Sequence, residues 1–503
     1  MNEVTNALNR IMKGSIIILV GSQIGVIFGF LGKIVLVRII TPSDIGIFSL
    51  AIVITNFLAT ISYIGMTEGI PRYIGFNRGN PKKIRGIIFS SISVTLLTSL
   101  TLSLLLFFFS GWIATAVFNK PELSFALKIA SLGLVFYVEF NILISIFRGL
   151  SRADIKFYFN DILRNLFYLI GLILIYFLAR SLTGVLFNYI FSFFLVFVIL
   201  GIYSIKKLEL FGEKKLVIKE LVGFSSPLMV ANFFHFFMLW TDILMVGYYL
   251  SSPSVGIYNI GATTLSRMIP LFFASAQFLY MPIISELYSK NLKREYKRTY
   301  QIMTKWVSGI TFSTFLAVFL FSTPIISSLF GRDYTLASNT LRILSIGLLI
   351  HVFLGPNGIN LTVIGKTKFL MYLTFLAAST NLFLNYLLIP KFGIEGAAMG
   401  TTIAYIILSI GKLLKFYSIE KIHPFYGNFL KPLSLTALLS LISYYCCRNI
   451  EISLSFALFF FILFVFFYIF SMYVTKSLEE EDSAVIKYIK DRIVTKFNLN
   501  RFS

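Results

Sequence analysis

Residues 41–51 read TPSDIGIFSLA and residues 251–258 read SSPSVGIY. Both follow a long apolar run, and both place a hydroxyl residue and a proline ahead of Gly-Ile-aromatic. The shared glycine recurs at an offset of 210, from Gly46 to Gly256. Working outward, Gly69-Ile70-Pro71 returns as Tyr280-Met281-Pro282 at 211, and Ala153-Asp154-Ile155-Lys156-Phe157 as Gly365-Lys366-Thr367-Lys368-Phe369 at 212. Gly184 and Gly396 repeat that last offset. Each match alone is weak, but a near-constant spacing across four loops marks an internal duplication.

Between these loops the chain is almost continuously apolar. A helix needs roughly 20 apolar residues to cross a bilayer. Fourteen such spans are predicted, near 14–37, 45–66, 84–109, 123–148, 160–179, 182–203, 219–246, 254–281, 300–321, 335–364, 368–390, 393–417, 430–447 and 452–475. Basic residues are retained on the cytoplasmic side of span ends. Most of the 44 Lys and Arg fall on the even-numbered loops and the two termini. The odd loops hold Arg38, Lys120, Arg180, Arg332, Lys391 and Arg448. Both termini are therefore expected in the cytoplasm, with the protein in the cell membrane.

Six spans per copy is an even number, so both copies enter the membrane from the same side as parallel repeats. Transporters built in this way place substrate between the halves and rock them. The expected fold is an all-α polytopic membrane protein: a lobe over 10–210, a second over 211–420, two further helices over 421–475, and a cytoplasmic tail over 476–503. Leu478, Val485, Ile486, Ile489 and Ile493 share one helical face of that tail, which predicts a surface-lying amphipathic helix.

Composition excludes several classes. Hydrophobic content of 57% and charged content of 13% leave no room for a large soluble domain. The net charge of +22 sits at span ends, where it sets topology and meets anionic lipid, so no nucleic-acid partner is expected. The two cysteines, Cys446 and Cys447, are helix neighbours pointing about 100° apart, a poor disulfide geometry. Gly365-Lys366-Thr367 ends like a phosphate-binding loop, yet Asn360 stands where its first glycine belongs. No G-x-S-x-G occurs, and the three histidines are scattered.

Two stretches carry a family resemblance: TPSDIGIFSLA after the first span, and VIGKTKFLMYLTFLAASTNLFLNYLLIPKFGIEGAAMGTT (363–402) across the tenth to twelfth. Together with the two-lobe layout, they resemble the Wzx-type polysaccharide flippases. These belong to the multidrug/oligosaccharidyl-lipid/polysaccharide exporter superfamily. The resemblance covers residues 10–475. It implies a central cavity between lobes, no enzymatic activity, no cofactor, and a lipid-linked oligosaccharide moved from the cytoplasmic to the outer leaflet. Partners are then that substrate and membrane lipid, and a monomer is expected.

Ionisable residues within spans are costly and usually face a cavity or a partner. Lys33 either snorkels outward or lines the cavity. Arg267 lies near mid-span, where a guanidinium needs an anion, either a substrate diphosphate or an internal partner such as Glu139 or Asp242. Lys33, Arg267 and Glu139 are the candidate substrate residues. Asp161 and Arg164, three apart, predict a local ion pair.

Asp242, Asn381, Asn385 and Thr401 fall at similar depths on three spans and form a hard-oxygen set suited to Na⁺ or to a protonatable Asp. The alternative is plain interhelical hydrogen bonding. Resemblance to lipid II flippases implies a coupling-ion site at these positions, with Ala397 offering a carbonyl. It differs at Asn385, where those proteins place a second carboxylate. Two rivals remain: a cation-coupled multidrug exporter of the same superfamily, and a membrane glycosyltransferase or polymerase. The latter needs a catalytic carboxylate in a sizeable outer loop.

Overall fold

The computed structural model describes residues 23–478, apart from 78, 153, 209–211, 426–428 and 448–453, and among these there is no strand. The helices in chain order are α1 (23–39), α2 (Pro42–Ser62), α3 (Met66–Phe76), α4 (Pro81–Trp112) and α5 (Leu123–Gly149). After a wide π-turn over Lys156–Arg164 come α6 (Asn165–Leu178), α7 (Leu182–Lys207) and α8 (Ile218–Tyr249). Next are α9 (Ser252–Ile257), a second π-turn over Tyr258–Thr263, α10 (Thr264–Ser266), α11 (Leu271–Ser289) and α12 (Lys293–Leu320). Then follow α13 (Ser322–Phe330), α14 (Ser338–Phe353), α15 (Asn357–Val363), α16 (Thr367–Phe392), α17 (Ile394–Glu420), α18 (Leu430–Cys447) and α19 (Leu454–Val474).

Nine of the described helical stretches are long and apolar enough to cross a membrane, or eleven if each bent pair counts as one. Leu430–Cys446 and Phe459–Val474 are shorter apolar helices, and the first expected span falls partly outside the described residues. The amphipathic tail lies outside them from residue 479.

Helix contacts divide the chain into two compact units. The first comprises the described residues through Leu265 together with Ile326–Leu344 and Met371–Ala404; the rest form the second. This partition by contact differs from the division by repeat.

In the first unit, α2 starts where the opening motif directs. Thr41 Oγ1 accepts from the Asp44 amide at 3.2 Å, Asp44 Oδ2 accepts from the Thr41 amide at 3.3 Å, and Pro42 occupies the first turn. The repeated glycines then meet each other's segments. A Cβ built on Gly46 would lie 1.9 Å from the Ser252 carbonyl oxygen, and one on Gly256 would lie 2.1 Å from that of Pro42. The duplicated motif thus packs against its own copy, backbone to backbone, at the crossing of α2 and α9. Ala59, Met66, Ile70, Val138, Phe140 and Leu200 are buried in one cluster beneath it.

The second expected span, 45–66, is too short, because the membrane-length stretch runs Pro42–Phe76. Ile64 and Gly65 take positive φ, 48° and 72°, which stops α2 and restarts the chain as α3. Gly65 also lets this turn approach α8, where a Cβ would come within 2.1 Å of the Ser225 carbonyl oxygen. Arg72, read as a loop charge, lies on α3 with its guanidinium 4.6 Å from the centre of the Phe224 ring.

The expected ion pair of Asp161 and Arg164 is replaced by other contacts. Arg164 sits 5.0 Å from the centre of the Phe193 ring and donates to Asn165 Oδ1, while Asp161 accepts from Asn160. The π-turn widens the helix there and redirects both side chains.

In the second unit, α19 packs on α12 at Gly309, where an added Cβ would strike the Tyr468 ring. Tyr468 donates to the Lys305 carbonyl at 2.9 Å, and Ser313 to that of Phe464 at 3.1 Å. The expected tenth span, 335–364, is interrupted between α14 and α15, with Gly355 at φ 81°. Backbone freed inside a membrane must find partners or water. The Leu354 carbonyl at the break accepts from Asn357 Nδ2 at 2.5 Å and from Tyr300 Oη at 3.3 Å, and the Asn360 side chain is held by Tyr280 and Tyr296, which donate to its Oδ1 at 2.8 and 3.1 Å.

Candidate functional site

Asp242 lies on the last turns of α8, half-buried, and four donors converge on its carboxylate. Tyr258 Oη donates to Oδ2 at 2.8 Å and Thr401 Oγ1 donates to the same oxygen. The amides of Asn385 and Asn381 donate to Oδ1 at 2.8 and 3.2 Å. Asn381 Nδ2 also reaches Thr401 Oγ1 at 3.1 Å, and Asn385 Nδ2 reaches Asn381 Oδ1 at 3.2 Å. Asn381 and Asn385 are four apart on α16, so they share a face. Both asparagines and Thr401 are buried. Ala397 lies one turn before Thr401 on α17 and is wholly buried.

Asn385 Oδ1 is buried and has no hydrogen-bond partner. Gly400 packs directly against it, so closely that an added Cβ would lie 2.4 Å from that oxygen. One carboxylate with amide, hydroxyl and carbonyl oxygens suits a hard monovalent ion. No group of three or more His, Cys, Asp or Glu able to hold a metal occurs among the described residues. A divalent site of carboxylates is therefore not built here. The hard-oxygen set expected from sequence differs in one respect, because the amides turn nitrogen, not oxygen, toward Asp242. An ionised carboxylate draws donors, and rotating an amide by half a turn exchanges N for O.

Sequence reading missed Tyr258. Its counterpart in the first motif is Phe48, so the hydroxyl is the one chemical difference at that aromatic position. The C-terminal end of α8 is held by another residue first read as a loop charge. Lys120, 7% exposed, donates to the carbonyls of Gly247, Leu250 and Phe118 at 2.6, 2.8 and 3.2 Å. A cation on the last carbonyls of a helix is favoured by its dipole. Lys120→Met is expected to cost about 2 kcal/mol or more, since the carbonyls lose a charged donor. Thermal unfolding of the purified protein in detergent measures it.

The remaining candidates lie elsewhere. Lys33, on α1, donates to Thr264 Oγ1 at 2.8 Å. Glu139, buried on α5, accepts from Thr95 Oγ1 at 2.9 Å. Both belong to the first unit, and neither is among the hydrogen-bond partners of Asp242. Arg267 belongs to the second unit and is exposed in the turn that separates α10 from α11.

The sequence profile of the family described as polysaccharide biosynthesis proteins matches residues 35–339. A provisionally named O-antigen transporter of Shigella flexneri is 22% identical over 409 residues, covering 79% of this chain and 95% of its own. A protein of Haloferax volcanii, named as the probable low-salt glycan biosynthesis flippase Agl15, is 26% identical over 195 residues. That match spans 38% of this chain and 40% of the relative. Among solved structures, the lipid II flippase MurJ in an inward closed conformation superposes with a TM-score of 0.70 at 17% identity. It covers 93% of this chain and 99% of its own.

Proposed function

The chain belongs to the polysaccharide biosynthesis protein family, and from that premise we propose that it flips a lipid-linked oligosaccharide across the cell membrane by alternating access, coupled to a cation at Asp242. Its fold is that of the multidrug/oligosaccharidyl-lipid/polysaccharide exporter superfamily, and it is a multi-pass membrane transporter, not an enzyme. The loop charges support termini in the cytoplasm and loading from that leaflet.

The observation that carries the coupling is the Asp242 cluster itself, in which the Asn385 oxygen is buried without a hydrogen-bond partner. An ion shifts the balance of inward and outward states only by binding one of them better. A cluster assembled from three separate helices, α8, α16 and α17, gives such a difference, because any movement among them breaks it. Na⁺, when bound, supplies a positive charge that neutralises Asp242, and a proton does the same. Asp242, Asn381, Asn385, Thr401 and the Ala397 carbonyl would hold the ion. Lys33 and Glu139 in the first unit, and Arg267 in the second, are each proposed separately as contacts of the substrate head group.

Leaflet transfer of a lipid-linked oligosaccharide in reconstituted vesicles tests the reading. Asp242→Ala and Arg267→Ala, at equal protein content, are each expected to slow transfer at least tenfold. Wild-type rates in both would remove these two assignments.

A further inference from the structure

A cavity of about 400 Å³ opens in the first unit and shares no residue with the Asp242 cluster. Its walls come from the α2–α3 break and from one face of α5. Tyr63 and Thr67 flank the turn at Ile64 and Gly65, where the backbone leaves the helix inside a membrane-length stretch. Irregular backbone at such a depth persists where it lines a water-filled cavity, and interrupted helices mark binding sites in transporters. Asn141, Ser145 and Arg148 follow on α5 at spacings of four and three, so they line one side, and Arg152 and Lys156, beyond the end of α5, complete the rim.

The rim is basic and already oriented. Arg148 Nη2 donates to the Thr67 carbonyl at 2.5 Å and to Glu68 Oε2 at 3.0 Å. Both bonds leave from one nitrogen, so Nε and Nη1 are available to a ligand. Arg152 is held in bidentate fashion by Asp154, with Nε to Oδ1 at 2.9 Å and Nη2 to Oδ2 at 2.8 Å, and Nη2 also reaches Tyr203. Lys156 is exposed and has no carboxylate within salt-bridge distance among the described residues. Three cations against two carboxylates leave positive charge in excess, and two guanidinium planes fixed in advance lose little entropy on binding. The Tyr63 and Tyr137 side chains line the same cavity. Charge at the mouth and aromatic rings within is the order of groups in a sugar diphosphate.

We propose that this cavity is a loading site for the diphosphate of a sugar-diphosphate head group, with Arg148, Arg152 and Lys156 on the phosphates and Tyr63 and Tyr137 against the first sugar. The inference rests on the lipid-linked substrate proposed above and names where that substrate is first held. The loop charges assign this end of α5 to the cytoplasmic face, the side on which such a substrate is loaded.

The test uses the full-length protein in detergent free of phospholipid, with farnesyl diphosphate as the probe. Inorganic pyrophosphate, farnesol and phosphatidylglycerol form the comparison arms, read by isothermal titration calorimetry. Farnesyl diphosphate and pyrophosphate are expected to bind and to compete, while farnesol and phosphatidylglycerol displace neither. Lys156→Gln, at an exposed position that spares the fold, is expected to weaken both diphosphates about tenfold. Arg148→Lys, which keeps the charge but loses the planar fork, is expected to do the same, and Lys391→Gln, at an exposed lysine outside this cavity, to leave binding within twofold. Unchanged diphosphate affinity in both rim variants overturns the proposal. So does displacement by phosphatidylglycerol, which would mark a bilayer-lipid site, or equal binding of farnesol. Were wild-type protein to bind diphosphate through this rim yet transfer no lipid-linked oligosaccharide, the transport reading would fail while the ligand assignment stood.

Discussion

Asp242→Asn is expected to slow ion-driven transport at least tenfold and to make what remains indifferent to the driving ion. The carboxylate is the one formal negative charge in its cluster, and the groups on it are neutral donors: Tyr258, Thr401, Asn381 and Asn385. At about 4 Å and an effective dielectric near 20, a unit charge pair is worth roughly 4 kcal/mol, far more than the amide dipole that replaces it. Asn385→Asp should act in the opposite direction. Its Nδ2 now bridges to Asp242 Oδ1 at 2.8 Å, so a carboxylate there would face a like charge at contact. Two carboxylates that close must share a cation or a proton. Ion affinity should then rise about tenfold or more. Transport into vesicles under imposed sodium and proton gradients measures the first substitution, and ion titration of purified protein the second. Full ion dependence in Asp242→Asn would place the coupling site elsewhere.

Gly46→Ala and Gly256→Ala should each fail to accumulate as folded protein. The obstacles are carbonyl oxygens of the facing segment, 1.9 and 2.1 Å from the new Cβ, and backbone cannot swing aside as a side-chain tip can. Overpacking a tight contact typically costs about 1–3 kcal/mol, and a backbone collision of this depth belongs above that range. Gly29→Ala, where nothing lies within 4 Å, provides the matched control on a neighbouring helix and should be neutral. Fluorescence-detected size exclusion after mild solubilisation distinguishes them: a monodisperse peak from Gly46→Ala would refute the close crossing.

The all-helical, apolar character was legible because it is written in residue type and spacing. The oxygen cluster was legible too, since Asp242, Asn381, Asn385 and Thr401 are polar residues within apolar runs. What escaped was conformation inside a span. The turn at Ile64 and Gly65 carries no composition shift, so α3 looked like a loop and Arg72 like a topology charge. Basic residues misled in the same way elsewhere. Lys120 caps α8, and Arg148 and Arg152 are drawn into a cavity by Thr67 and Asp154, yet all three read as loop charges. Lys412 lies within α17 and lines a pocket beside His351 and Ser409. Charge says which end of a helix a residue occupies, not which neighbour holds it. Glycines of α1 differ in the same way: Gly25 lies against Asp161, whereas Gly29 faces open space.

The crossing of the two motifs also constrains how this sequence can change over generations. Each copy supplies the bare surface that the other's carbonyl needs, so neither half can acquire a side chain at its glycine unless its twin retreats. Elsewhere the duplicated halves are free to diverge, as Phe48 and Tyr258 have done. Here they remain locked to a shared ancestry, and a chimera joining halves from distant relatives should assemble only where both partners have kept the pair.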